Sequence, residues 1–363
     1  MVSATLVHTL GFLCLTSAFV IPSRDGFPDP NSQQLLDIET KADGLLSNEP
    51  PPPTLSDAGI ANFQLIAFNE NFEVAFFSSL IENITNNVPG YERAPGLKDT
   101  DSLLEILKTV KAQEELHAIT AIQTLEHFNA TLVPEPCTYT FPSSDLESAL
   151  SLAETFTAVV LGTLADAEKS FAENNDAGDV IRAIASVIGQ EGEQNGFYRF
   201  LLDRKPSERP FLTTSTGPFA FSALQQFVVS CPFNVSDIPI PIFTPLNVVT
   251  TPEARDMTLT FSADLSGTGY AQNGTSNGDL FITYLVGQQV PITEPISNVN
   301  YDGSVITFDA LFPFSENIME GLSIAALTNS SNFEDADDVP ANTIAAPGLI
   351  QVNDLLARRG RDQ

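Results

Sequence analysis

The stretch Leu103–Phe128, LLEILKTVKAQEELHAITAIQTLEHF, is the feature that most narrows what this chain can fold into. Apolar residues recur at Leu103, Leu107, Val110, Ala118, Ala121, Leu125 and Phe128, close to the three-then-four spacing of an amphipathic helix. Glu114 and His117 break into that stripe. A carboxylate and an imidazole three positions apart lie on one helical face, a turn from each other. Turned toward a core they need a partner, because a buried charge is costly unless it is paired or bound to a metal.

Three more segments read as helices of similar length. Thr54-Leu-Ser56-Asp57 offers N-cap residues ahead of Ile60–Thr85, whose stripe of Ile66, Phe77, Leu80 and Ile84 is interrupted by Glu73. A third helix runs from Leu146 to about Ala172, with Glu154 on the face of Leu150, Thr157, Leu161 and Leu164. After the turn Asn174-Asn-Asp-Ala-Gly178, the fourth covers Val180–Leu202, with Glu191 among Ile184, Ile188, Asn195 and Tyr198, and Gln194 three residues on. Four such helices with short or moderate connections predict an up-down bundle over residues 56–232.

Beyond Pro232 the pattern changes. Pro239, Pro241 and Pro245 are followed by the β-like runs Met257–Phe261, Phe281–Val286, Val305–Phe308 and Leu322–Leu327. Turns such as Asn273-Gly274, Asn277-Gly278 and Asp302-Gly303 separate them. The fold class expected is α+β and multidomain: a four-helix bundle, then a small antiparallel β-sandwich-like domain over 233–331. Residues 19–55, ending in Pro50–Pro53, read as a polar, proline-rich linker, and 332–363 as a flexible tail ending in Arg358-Arg359-Gly-Arg361.

Residues 1–18 have the length and apolar run of a cleaved secretory signal, although His8 interrupts it and a basic start is missing. Its removal takes Cys14 and leaves Cys137 and Cys231, which in an exported chain can make one intramolecular disulfide. Five N-x-[ST] sequons, at Asn83, Asn129, Asn234, Asn273 and Asn329, are then glycosylation acceptors. The formal net charge of −30 argues against nucleic acid as a partner. No later segment approaches the roughly twenty apolar residues of a membrane span.

Only His117 and His127 remain after the signal, both on one helix, which leaves a Ser-His-Asp hydrolase without a well-placed base. His127, near the helix end, reads as a surface or cap residue. No Gly-x-Gly-x-x-Gly, P-loop or zinc-spaced Cys/His set occurs. The ordered set Glu73, Glu114-x-x-His117, Glu154 and Glu191-x-x-Gln194 does carry a pattern. Dimetal carboxylate bundles use one Glu from each of two helices and Glu-x-x-His from each of the other two. Such oxygen-rich sets suit iron or manganese. The second imidazole is replaced by Gln194, a neutral and weaker ligand.

At these residues the chain resembles the ferritin-like proteins of filamentous fungi known as late sexual development or stress-responsive proteins. Asn69-Glu70-Asn71-Phe72-Glu73-Val74-Ala75-Phe76-Phe77 is similar to that family's Leu-Glu-x-Leu-Glu-x-x-Phe-Tyr signature, with Asn and Phe at its ends. Glu114-Glu-Leu-His117 and Glu191-Gly-Glu-Gln194 resemble its Glu-x-x-His and Glu-x-x-Gln. The resemblance implies a secreted ferritin-like domain tied to development or stress, without a settled activity. Two readings stay open. In one, Glu73, Glu114, His117, Glu154 and Glu191 bind one or two metal ions, with Gln194 an outer or weak ligand and Glu70 an outer partner or simply solvated. In the other, His117 and the carboxylates form an ordinary buried polar network. The chain is then a non-enzymatic structural or cell-wall-associated glycoprotein that uses the bundle as a scaffold.

Overall fold

The computed structural model describes residues 18–92, 99–176, 178, 180–270, 280–353 and 356. The expected signal up to Ser17, the sequon at Asn273 and the arginines at 358, 359 and 361 lie outside the described residues. Among the described residues there are seven α-helices, α1 (Ser32–Lys41), α2 (Asp57–Thr85), α3 (Thr100–His127), α4 (Leu146–Glu173), α5 (Val180–Leu201), α6 (Gly217–Gln225) and the short α7 (Phe314–Asn317).

Helices α2 to α5 form the bundle that the four apolar stripes predict. Three of the four starts have a local cause: the Ser56 side chain accepts from the Gly59 N–H, Asp99 from that of Ser102, and Asp145 from that of Ser148. Asp176, in the α4–α5 turn, accepts from the backbone N–H of Ser56 at 2.9 Å, so the start of α2 is tied to the far hairpin. Phe72, Phe76, Phe77 and Phe156 fill the middle, with Phe72–Phe156 and Phe76–Phe156 edge to face at 5.3 and 4.9 Å. Among the described residues α4 is the one helix long and apolar enough to cross a bilayer, and it is mostly buried in the protein. Its Gly162 is required by packing, since a Cβ there would collide with the Thr213 carbonyl.

The β-rich part is a sandwich of two four-stranded sheets. One has the order β10-β9-β5-β6, from Thr343–Val352, Gly321–Thr328, Phe281–Val286 and Ile292–Pro295. The other has the order β3-β4-β8-β7, from Asn247–Val248, Met257–Asp264, Val305–Phe312 and Ser297–Asp302. Neighbouring strands are antiparallel throughout. Leu259, Phe261, Ile306 and Phe308 meet Ile282, Tyr284 and Leu327 between the sheets. The other face of the first sheet is also covered: Leu285, Leu322 and Ile324 pack on Val159 of α4 and Phe219 of α6. Strand β9, GLSIAALT, is therefore buried along its whole length, which explains an apolar run without alternation.

Cys137 and Cys231 are joined in a disulfide across 94 residues. Beside it β1 (Thr138–Tyr139) pairs with β2 (Val228–Ser230), so the exit of α3 and the chain leaving the bundle are held together.

Two expected boundaries are corrected. The stretch 19–55 is more than a linker, for it contains α1, started by a capping box between Asn31 and Gln34. Phe27, Ile38 and Ala42 are buried in the bundle core, and Lys111 of α3 pairs with Asp25 at 2.7 Å. The tail expected from 332 is overturned as far as residue 352. Thr343–Val352 is the ten-residue β10 against β9, with Ala345, Ala346 and Ile350 fully buried. Acidic residues at 334–338 and Pro347-Gly348 disguised a strand whose apolar residues complete the sandwich. A further helix, α6, lies within 56–232 beyond the four expected, with Pro218 in its first turn.

Candidate metal centre

The centre is assembled by three helices. Glu70 comes from α2, Glu114 and His117 from α3, and Glu191 from α5. Each offers one ligand atom, and the four atoms lie within 4.8 Å of one another. His117 Nδ1 is 2.9 Å from Glu114 Oε2 and 3.7 Å from both Glu70 Oε2 and Glu191 Oε1. The carboxylates are fully buried, whereas the imidazole keeps 16% of its side chain exposed.

Much of this oxygen has no hydrogen-bond partner among the described residues. Glu70 Oε2, Glu114 Oε1 and both carboxylate oxygens of Glu191 are buried without one. Buried polar atoms are almost always satisfied, so a convergent group of orphans marks a place where something else supplies the contact. Burial pushes the Glu70 carboxyl up to about 7, against the pull of His117. Burial, then repulsion from Glu70 and Glu114, raises Glu191 well above the ordinary range. For His117 burial works toward the neutral ring, but Glu114 and Glu70 outweigh it and hold its proton on well above the usual pH. A cation among these groups would offset both the desolvation and the mutual repulsion. Three carboxylate oxygens and one imidazole nitrogen form a donor set that can hold a metal ion.

Glu73, one turn along α2, is fully buried near the same group. Asn69 Nδ2 donates to its Oε1 at 2.9 Å, and its Oε2 has no partner. Burial and the charges of Glu114, Glu191 and Glu70 raise its carboxyl well above the ordinary range. Tyr198 borders the same charges: its phenol is buried, and Glu114, Glu73 and Glu191 add to the burial that raises it.

The expected ligand Glu154 is elsewhere. Its carboxylate pairs with Arg199 and, at 2.7 Å, with Arg204, and it accepts from Gln351 Nε2 at 2.6 Å. The physical reason is the local charge: two guanidinium groups are the nearest compensation for a fully buried carboxylate. Gln194 is hydrogen-bonded to residues outside the close group. Its Nε2 donates to Gln113 Oε1 at 3.2 Å, and its Oε1 accepts from the Tyr198 hydroxyl at 3.4 Å.

Glu70 is the residue that sequence reasoning underrated, treating it as an outer partner or a solvated group. The signal was present, because Glu70 is three residues before Glu73 and four after Ile66, on the same helical face.

A carboxylate-and-imidazole group thus sits inside a four-helix bundle. Residues 56–204 match the family model for the ferritin-like domain. The chain contains a ferritin-like domain. That domain takes in α2 to α5 and all of Glu70, Glu73, Glu114, His117, Glu154, Glu191 and Gln194. The β-sandwich lies beyond the match. No curated protein matches the chain.

Proposed function

We propose that the ferritin-like domain binds a transition-metal ion, iron or manganese, through Glu70, Glu114, His117 and Glu191. The observation that carries this reading is the convergence of four ligand atoms from three helices within 4.8 Å, most of their carboxylate oxygen otherwise unpartnered. A bound ion would supply Lewis acidity, with redox chemistry if it is iron or manganese. The protein's own residues give it an anionic cradle of buried carboxylates, and Glu114 Oε2 lies 2.9 Å from His117 Nδ1. The test is metal analysis of the full chain expressed with added iron or manganese and then dialysed. Retained metal that is lost in Glu114→Gln and in His117→Ala supports the proposal. A native chain that retains none rejects it.

We further propose that the protein acts outside the cell, as its resemblance to secreted fungal proteins suggests. The Cys137–Cys231 disulfide supports an oxidising compartment. Asn129, Asn234 and Asn329 are exposed and Asn83 is half-buried, which suits the first three better as glycan acceptors. Expression in a eukaryotic host tests this: a secreted product whose mobility shifts with endoglycosidase supports it, and an unglycosylated, retained product contradicts it.

A further inference from the structure

The six-ligand pattern of a dimetal bundle demands a carboxylate from the third helix and a second nitrogen from the fourth. Both positions exist in this chain, and both are engaged in other work. Glu154 on α4 has its two oxygens taken by Arg199, Arg204 and Gln351. Arg199 in turn donates to Asn353 Oδ1 at 2.7 Å and to the Lys205 carbonyl at 2.8 Å, and pairs with Glu208 at 3.4 Å. Glu208 accepts from the Leu322 N–H of β9, while Gln351 belongs to β10. The buried charge on α4 thus fastens the bundle to two strands of the sandwich. Gln194 is likewise fixed between Gln113 and Tyr198, and Gln113 donates on to the Ala42 carbonyl.

We infer that the centre takes one metal ion per chain, and that the half which would hold a second has become the joint between the helical and β-rich parts. This rests on the metal-binding reading above. Four ligand atoms within 4.8 Å of one another fit around a single ion at bond lengths of about 2.1 Å after slight contraction. A second ion about 3.5–4 Å away would need terminal ligands of its own. On that side Glu73 is left, with Oε1 held by Asn69 and Oε2 unpartnered, and among the described residues no second imidazole accompanies it. Moving Glu154 inward would take the shared counter-ion from the buried Arg199 and the part-buried Arg204 and leave Glu208 as the remaining partner of Arg199, which is destabilising.

Titration calorimetry of the metal-free full chain with Mn²⁺ alone, with electron paramagnetic resonance of the product, tests the inference. One ion per chain is expected, with the hyperfine pattern of an isolated Mn²⁺. Glu154→Gln should bind the same single ion with affinity unchanged within about twofold, because it shares no partner with the centre. Two ions per chain, an exchange-coupled signal, or an ion lost on Glu154→Gln would overturn the inference while leaving metal binding intact. No binding at all would reject the metal reading and this one with it. Should Glu154→Gln not fold, stoichiometry and spectrum of the native chain decide alone.

Discussion

His117 Nδ1 lies 2.9 Å from Glu114 Oε2, one helical turn back along α3, in a pocket of charge that only the packing of three helices explains. The pair is local in sequence, but the carboxylates of Glu70 and Glu191 at 3.7 Å come from α2 and α5. What the bundle brings together is therefore several buried acids around one partly exposed base.

Glu70 should matter as much as the residues of the Glu-x-x-His pair. Glu70→Gln removes one candidate ligand and one buried, repelled carboxyl together. Metal affinity is expected to fall at least tenfold, a loss of about 1.4 kcal/mol or more. The metal-free variant is expected to melt higher than the metal-free parent, because a buried charge without compensation destabilises. Calorimetric titration and a thermal melt on the same preparation check both; unchanged affinity would remove Glu70 from the centre.

Asp166 of α4 makes a pH-dependent contribution separate from the centre. Its Oδ2 accepts from the Gly217 N–H at the start of α6, and burial followed by repulsion from Asp337 pushes it up to about 7. A carboxyl raised in the folded state binds its proton more tightly there than in the unfolded chain. Its stabilising effect is complete below the ordinary value near 4 and is lost as pH rises to about 7. The upper bound on the change is about 4 kcal/mol. Asp166→Asn should flatten the decline in Tm between those pH values relative to the parent. Parallel Tm–pH curves would contradict the assignment.

The disulfide closes a loop of 94 residues between the end of α3 and the segment leaving the bundle. Replacing Cys137 and Cys231 by Ala should lower unfolding free energy by roughly 3–5 kcal/mol on the chain-entropy view. Urea unfolding of the pair of chains measures it.

The N-terminal stretch is expected to behave as part of the fold. Ile38 is wholly buried between α1 and the bundle, so Ile38→Ala should cost roughly 2–5 kcal/mol. A loss below about 0.5 kcal/mol, the level of a surface change, would return 19–55 to the status of a linker.

How legible all this was in the amino-acid sequence depends on the range of each interaction. The four helices were readable because α2 to α5 carry their apolar stripes in consecutive residues, and β4, β5, β8 and β9 because they show strand-like runs between turns. Glu114 and His117 announced themselves by a single helical turn. The choice between Glu70 and Glu73 was not local: they share one face, and the position of α3 and α5 decides which meets His117. Glu154 was misplaced for a related reason. Helix α4 is buried on several faces, so an inward carboxylate could serve the centre or two arginines on and beyond α5, and periodicity does not distinguish them. Strand β10 was hidden because its partner β9 ends fifteen residues earlier, beyond an acidic stretch.

The most direct measurement of the central claim is anomalous X-ray diffraction at the manganese edge from crystals of the full chain grown with Mn²⁺. The account predicts one strong peak among Glu70, Glu114, His117 and Glu191, at about 2.1 Å from their ligand atoms. Peaks confined to the acidic surface, or none inside the bundle, would contradict it.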